Sequence, residues 1–230
     1  MLSPGGSESF QLSCEKVAYW YLRLNGFLQI ENFYIHPVRR GSARTDADLL
    51  AVRFPYRAER LYDPPYDIMP DDCDGLSLSA ERIDVVIAEI KRSRCALNGP
   101  WTNPADKNVH RVLCAIGCLP RDRIPEAAKQ IYQTGFHEHG GRLRIRLVAI
   151  GNERSECLRA QYPNVSQVIW RDLLAFMFER FQRYRHQKAQ TDHWDRTGKC
   201  LKAKATRSRV ASHEFVSIVT QGMGIQKQRA

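Results

Sequence analysis

The stretch Ile83-Asp84-Val85-Val86-Ile87-Ala88-Glu89-Ile90-Lys91 decides the fold. Its nearly continuous apolar run from Val85 to Ala88 reads as a strand buried on both faces, which places it centrally in a sheet. Alternation puts Ile83, Val85, Ile87, Glu89 and Lys91 on one face. A carboxylate and an ammonium therefore project side by side where the buried strand ends. Such a pair is either a weak surface ion pair, worth about 0–1 kcal/mol, or part of a site.

Upstream, residues 12–25 read as a helix with Val17, Tyr21 and Leu24 on one stripe and Gly26 as its stop. Strands follow over 27–35 and 45–54, the second ended by Pro55. In that second strand Asp46, Asp48, Leu50 and Val52 share a face by alternation. Two carboxylates on a face that turns apolar are costly unless something pairs with them. If this strand and the 83–91 strand are antiparallel neighbours, Asp48 approaches Glu89 and Lys91. Carboxylates that close repel unless a divalent cation sits between them, and Mg²⁺ is the usual occupant. Residues 56–80, with Pro64-Pro65, Pro70 and the acidic group Asp71, Asp72 and Asp74, form an insertion. Compact domains rarely need more than about 12–15 residues between elements.

Downstream lie a loop over 92–104, helices over 105–116 and 126–133, strands over 142–150 and 165–170, and a helix over 172–185. The strand over 142–150 alternates Arg with Leu and Ile, so one face is expected to be wet at its start. The fold class is α/β (α+β), a mixed sheet with helices on both sides.

The formal charge is +10, and it is unevenly placed. Between Arg180 and Arg209 ten basic residues stand against Asp192 and Asp195, while residues 1–179 are nearly neutral. A localised basic stretch suits a polyanion such as nucleic acid; the bland alternative is a solvated, partly disordered tail. The division expected is a core over 1–179 and a basic extension over 180–230 for nucleic acid or a protein partner, a homodimer included. Arg180, Arg183, Arg185, Lys188, Lys199, Lys202 and Lys204 are its phosphate-contact candidates, with Tyr184 and Trp194 between them favouring single strands or distorted duplexes. No apolar run approaches the roughly 18 residues of a membrane span, and residues 1–10 do not read as a signal peptide. Seven scattered cysteines fit reduced thiols in a cytoplasmic setting. These features argue against secreted, membrane-spanning and disulfide-scaffold classes.

Asp48 followed by Ala88-Glu89-Ile90-Lys91 resembles the catalytic signature of the PD-(D/E)XK nuclease superfamily. Glu15, leading Val17-Ala18-Tyr19-Trp20-Tyr21-Leu22 and then Gly26-Phe27, is similar to the first helix of its Holliday-junction-resolvase branch. The resemblance spans roughly residues 15–150, although Ala47 stands where the motif has Pro and the Asp48-to-Glu89 connection is long. It implies a restriction-endonuclease-like αβββαβ core and Mg²⁺-dependent hydrolysis of nucleic acid, with Mn²⁺ substituting and DNA the expected substrate. Asp48 and Glu89 would hold the metal with Glu15 as a further ligand, and Lys91 would position the attacking water. Asp46 is the rival for the metal position of Asp48. Repair and defence against foreign DNA both remain open.

Other groupings carry less. His110, Cys114 and Cys118 share a helical face but read as packing rather than a zinc site, having no evident fourth ligand. His137-Glu138-His139 reads as a solvated turn. Gln130 and Tyr132 are one residue short of the Gln-x-x-Tyr spacing of RecB-like nucleases. Trp101 borders the site and either stacks on a base or closes the domain by packing. Two other classes stand beside the nuclease: an inactive module of the same fold that binds nucleic acid or a protein, and a subunit whose C-terminal arm docks a partner.

Overall fold

The computed structural model describes residues 11–35, 45–57, 70–186 and 188–225. Residues 1–10, read above as no leader, and residues 58–69 of the 56–80 insertion lie outside the described residues. In chain order the elements are α1 (Cys14–Leu24), β1 (Leu28–Ile35), β2 (Thr45–Arg53), α2 (Cys73–Leu76), β3 (Ile83–Ile90) and α3 (Gly99–Thr102). They continue with α4 (Asn108–Ile116), α5 (Ile124–Thr134), β4 (Phe136–His139), β5 (Leu143–Gly151), α6 (Glu156–Gln161) and β6 (Ser166–Ile169). Three helices close the described chain: α7 (Trp170–Arg183), α8 (Arg196–Ala205) and α9 (Ser212–Gly222).

The sheet is mixed, in the order β1-β2-β3-β5-β4. β1, β2 and β3 form an antiparallel meander, and β5 then pairs parallel with β3 after the helical crossover α3–α5. β4 pairs with the first half of β5 and β6 with its second half, so two short strands share one edge. β3 is buried along almost its whole length, as its continuous apolar run requires. One face of the sheet is covered by α1, α7, α8 and α9 around Trp20, Leu49, Val86, Trp170 and Phe215. The other is covered by α3–α5 around Leu50, Ile87, Trp101, Val112 and Ile131. No described helix is long and apolar enough to cross a membrane, and all seven cysteines are free.

Four expectations change. First, His137-Glu138-His139 belongs to an edge strand, not a turn; Gly135, at φ 73°, caps α5 and turns the chain straight into it. Second, the Arg face of β5 is not wet. Arg144 and Arg146 are 8 % and 2 % exposed because both guanidinium groups clasp Asp84 on the neighbouring strand. Third, the basic C-terminal stretch is not a tail. Leu201, Ala205, Phe215, Val219 and Met223 pack into the same core as α1 and α7. The indole Nε1 of Trp20 donates to Asp195, Trp194 lies against Trp20 with ring centroids 4.5 Å apart, and Gly198 sits where any Cβ would collide with the Trp20 ring. Fourth, strict alternation fails around Asp48: Ala47 and Leu50 pack on one face and Leu49 and Ala51 on the other. Opposite this point in the ladder, between the paired Glu31 and Phe33, Asn32 takes a left-handed φ of 48°.

Candidate active site

The site forms where β2 and β3 meet at one end of their ladder. The last paired residues are Leu49 and Ala88, so the next step in each chain is Asp48 on β2 and Glu89 on β3. The backbone N–H of Ile90 donates to Asp48 Oδ2 at 2.7 Å, which ties this carboxylate to the neighbouring strand. Glu89 is 2 % exposed, and both of its oxygens are engaged. Lys91 Nζ donates to Oε1 at 2.5 Å and Trp101 Nε1 donates to Oε2 at 2.8 Å. Lys91 is itself anchored at its backbone: its N–H donates to Ile150 O, and its carbonyl accepts from Trp170 Nε1 at 2.9 Å. Its side chain stays partly open to solvent.

Electrostatics distinguish this corner from an ordinary surface pair. Burial raises the Glu89 carboxyl above the usual glutamate range; the hydrogen bond from Lys91 opposes that rise and the charge of Asp48 adds to it. Burial also raises Asp48, opposed by the Ile90 N–H and the Lys91 ammonium and reinforced by Glu15 and Asp46. Two carboxylates thus lie beside one lysine, and the charges of Glu15 and Asp46 act on one of them, Asp48. Glu15 reaches the group from the first turn of α1, where Ser13 caps the helix and its hydroxyl donates to the Glu15 carboxylate.

The structure brings Asp48, Glu89 and Lys91 together and sets Glu15 and Asp46 close enough for their charges to act on Asp48. The donor set is hard oxygen with surplus negative charge, which in chemistry fits a divalent cation such as Mg²⁺. Among the described residues no three His, Cys, Asp or Glu side chains converge on one ligating point. The oxygens are turned toward protein donors instead: Glu89 toward Lys91 and Trp101, Asp48 toward Ile90 and Glu15 toward Ser13.

Trp101 does not stack on a base; it is buried and orients Glu89. Sequence reading placed its loop beside the site but missed that role, because an indole donor aimed back across twelve residues leaves no periodic signal. Trp170 was missed for the same reason.

The basic candidates divide. Arg180 is corrected: it is 3 % exposed, lies over the Phe176 ring, donates to the carbonyl of Pro70 and pairs with Asp71. It fastens the return of the 56–80 excursion and does not face a phosphate. Arg183, Arg185 and Lys199 are exposed, whereas Lys188, Lys202 and Lys204 are half-buried, with Lys202 donating to the Lys188 carbonyl. The aromatic argument for single strands also falls, since Tyr184 is buried and Trp194 packs on Trp20 and Phe181. Among family models, curated proteins and solved structures, none matches the chain.

Proposed function

We propose that the chain is a metal-dependent nuclease that hydrolyses phosphodiester bonds of nucleic acid, with DNA as the expected substrate. The observation that carries this reading is the Asp48–Glu89–Lys91 group: two carboxylates on adjacent strands, both raised by burial, with one ammonium beside them. Burying like charges together destabilises a fold, and an arrangement that repels itself fits a cation-dependent reaction better than a structural role.

Asp48 and Glu89 would hold Mg²⁺ or Mn²⁺, with Glu15 as a further ligand and Asp46 as the alternative to Asp48. When bound, the ion supplies Lewis acidity and an activated water. Lys91 orients the attacking water through its ammonium and offsets the negative charge that develops on the phosphoryl oxygens. Trp101 keeps the Glu89 carboxylate in one rotamer through its N–H, and the Ile90 N–H does the same for Asp48.

The test is cleavage of supercoiled plasmid and of a labelled single strand with Mg²⁺, Mn²⁺ or EDTA, for wild type and Glu89→Ala. Metal-dependent cutting that disappears in the variant supports the nuclease. Absence of cutting by wild type, together with no Mn²⁺ bound in calorimetry, overturns it in favour of a binding module.

A further inference from the structure

The basic residues that line two adjoining cavities are Arg207 and Arg209, from the end of the basic 180–209 stretch, and residues outside that stretch. Two cavities of about 880 and 540 Å³ adjoin, sharing Asn152 and Ile225 in their walls. Between them they are lined by Arg92, Arg94, Arg171, Arg207, Arg209 and His213. These residues come from four separate places: the segment after β3, the first turn of α7, the α8–α9 connection and the start of α9. All six are exposed. Arg94 faces Glu153 at 3.6 Å and Arg171 faces Asp172 at 3.1 Å, both solvent-accessible pairs that an anion can displace. The other acid in the wall, Glu214, is turned to the Ala211 N–H as part of the α9 cap.

We propose that this groove binds the sugar–phosphate backbone of nucleic acid and leads it to the Glu89–Lys91 corner. The proposal rests on the nuclease reading for its destination but not for the binding itself. Three observations carry it. The cations are arginines, whose planar forks match phosphate oxygens in pairs, with no lysine among them. They lie along a concave track that crosses several elements, as a polymer needs and a small anion does not. Arg92 joins the track to the site: it directly follows Lys91 in the chain, and its guanidinium lies near enough to the Cys14 thiol, next to Glu15, for its charge to act on it. The groove's polar donors are chiefly its arginines, set against an apolar wall of Val210, Val216 and Ile218 with Asn152 the one amide side chain in the lining, so contacts are expected to be mainly to the backbone and largely independent of sequence.

The experiment is fluorescence anisotropy of a labelled oligonucleotide, single- and double-stranded, in EDTA so that cleavage plays no part. Wild type, the double variant Arg207→Ala/Arg209→Ala, Arg171→Ala, and the comparison pair Arg183→Ala/Arg185→Ala are measured across salt concentrations. Thermal unfolding checks that each variant is folded. The double variant is expected to bind about tenfold more weakly or worse, with its log Kd against log salt slope reduced by about 1.4 on single strands or 1.8 on duplex. Arg171→Ala, on a different element, is expected to act in the same direction, while the comparison pair binds like wild type. Wild-type affinity in both groove variants, or a loss confined to Arg183→Ala/Arg185→Ala, overturns the proposal. Equal affinity for a polyglutamate peptide also overturns it and points to an acidic protein partner. Groove-dependent binding without any metal-dependent cutting leaves the groove standing and removes the nuclease reading.

Discussion

The two ends of β3 each carry one buried carboxylate, and they are treated in opposite ways. At the first end Asp84, wholly buried, accepts from Arg144 and Arg146 through four contacts of 2.7–3.1 Å, and these partners outweigh burial and pull its carboxyl below the usual aspartate range. At the other end Glu89 has one ammonium and one indole N–H against the charge of Asp48, and it stays above the usual glutamate range. Both carboxylates are desolvated. Only one is overpaid in positive charge. A buried acid with two arginines holds strands together, whereas a buried acid held beside a second acid stores repulsion that a cation or a proton can relieve.

The largest expected effect sharpens this contrast. Lys91→Ala should lower metal-dependent cleavage per folded molecule by about 10²–10⁴-fold, with a smaller loss of stability than Asp84→Ala because Lys91 is partly solvated and the raised Glu89 carboxyl can take up a proton; cleavage per folded molecule near wild type would make Lys91 structural. Asp84→Ala should do the reverse. It strands two buried guanidinium groups, and chemical denaturation should register a loss of about 3–5 kcal/mol, with kinetics per folded molecule unchanged.

Trp101→Phe keeps the buried ring but removes the donor to Glu89, a charged hydrogen bond of about 1.5–3 kcal/mol. The acid limb of the pH–rate profile should move to higher pH, since the ionised carboxylate loses support. A fall in rate with an unmoved profile would make the indole mere packing.

The smallest effect is one of sign. Asp84 is lowered in the fold, so the stability it contributes is present above its ordinary value near 3.8 and is lost as pH falls below it. Asp48 is raised, so its contribution is present below that ordinary value and is lost as pH rises through the folded value. Asp48→Asn should therefore melt higher than wild type at pH 8, the gap closing toward about pH 4. Asp84→Asn should melt lower at pH 8, the gap closing as Asp84 protonates in acid. Parallel pH profiles for the two variants would erase the distinction between the ends of β3.

Much of this geometry was legible along the chain. The apolar run of β3 placed it at the centre, and alternation past Ile87 put Glu89 beside Lys91. The antiparallel pairing that brings Asp48 to Glu89 was only a condition of the sequence reading, and the structure has it. Legibility stopped where a partner lies far away in sequence. Arg144 and Arg146 looked like a solvated face because their counter-ion is on another strand. Arg180 looked like a phosphate contact because Asp71 is distant in the chain, and residues 180–230 read as a basic extension, with a solvated tail as the alternative, because Trp20, on which Trp194 packs, is distant too.

The sequence by itself determined the long elements from α1 to β3, the strand β5 and the helix α7, the mixed sheet and the position of Glu89 and Lys91, because apolar periodicity acts locally and is written residue by residue. Tertiary structure decided which charges are neutralised and which are left in conflict. It buried Arg180, aimed Trp101 at Glu89, broke the alternation at Asp48 and assembled Arg92, Arg171, Arg207 and Arg209 into one groove. The physical reason is that a charge takes its meaning from its desolvation and its nearest opposite charge, and both are set by strands and helices that meet only when the chain has folded.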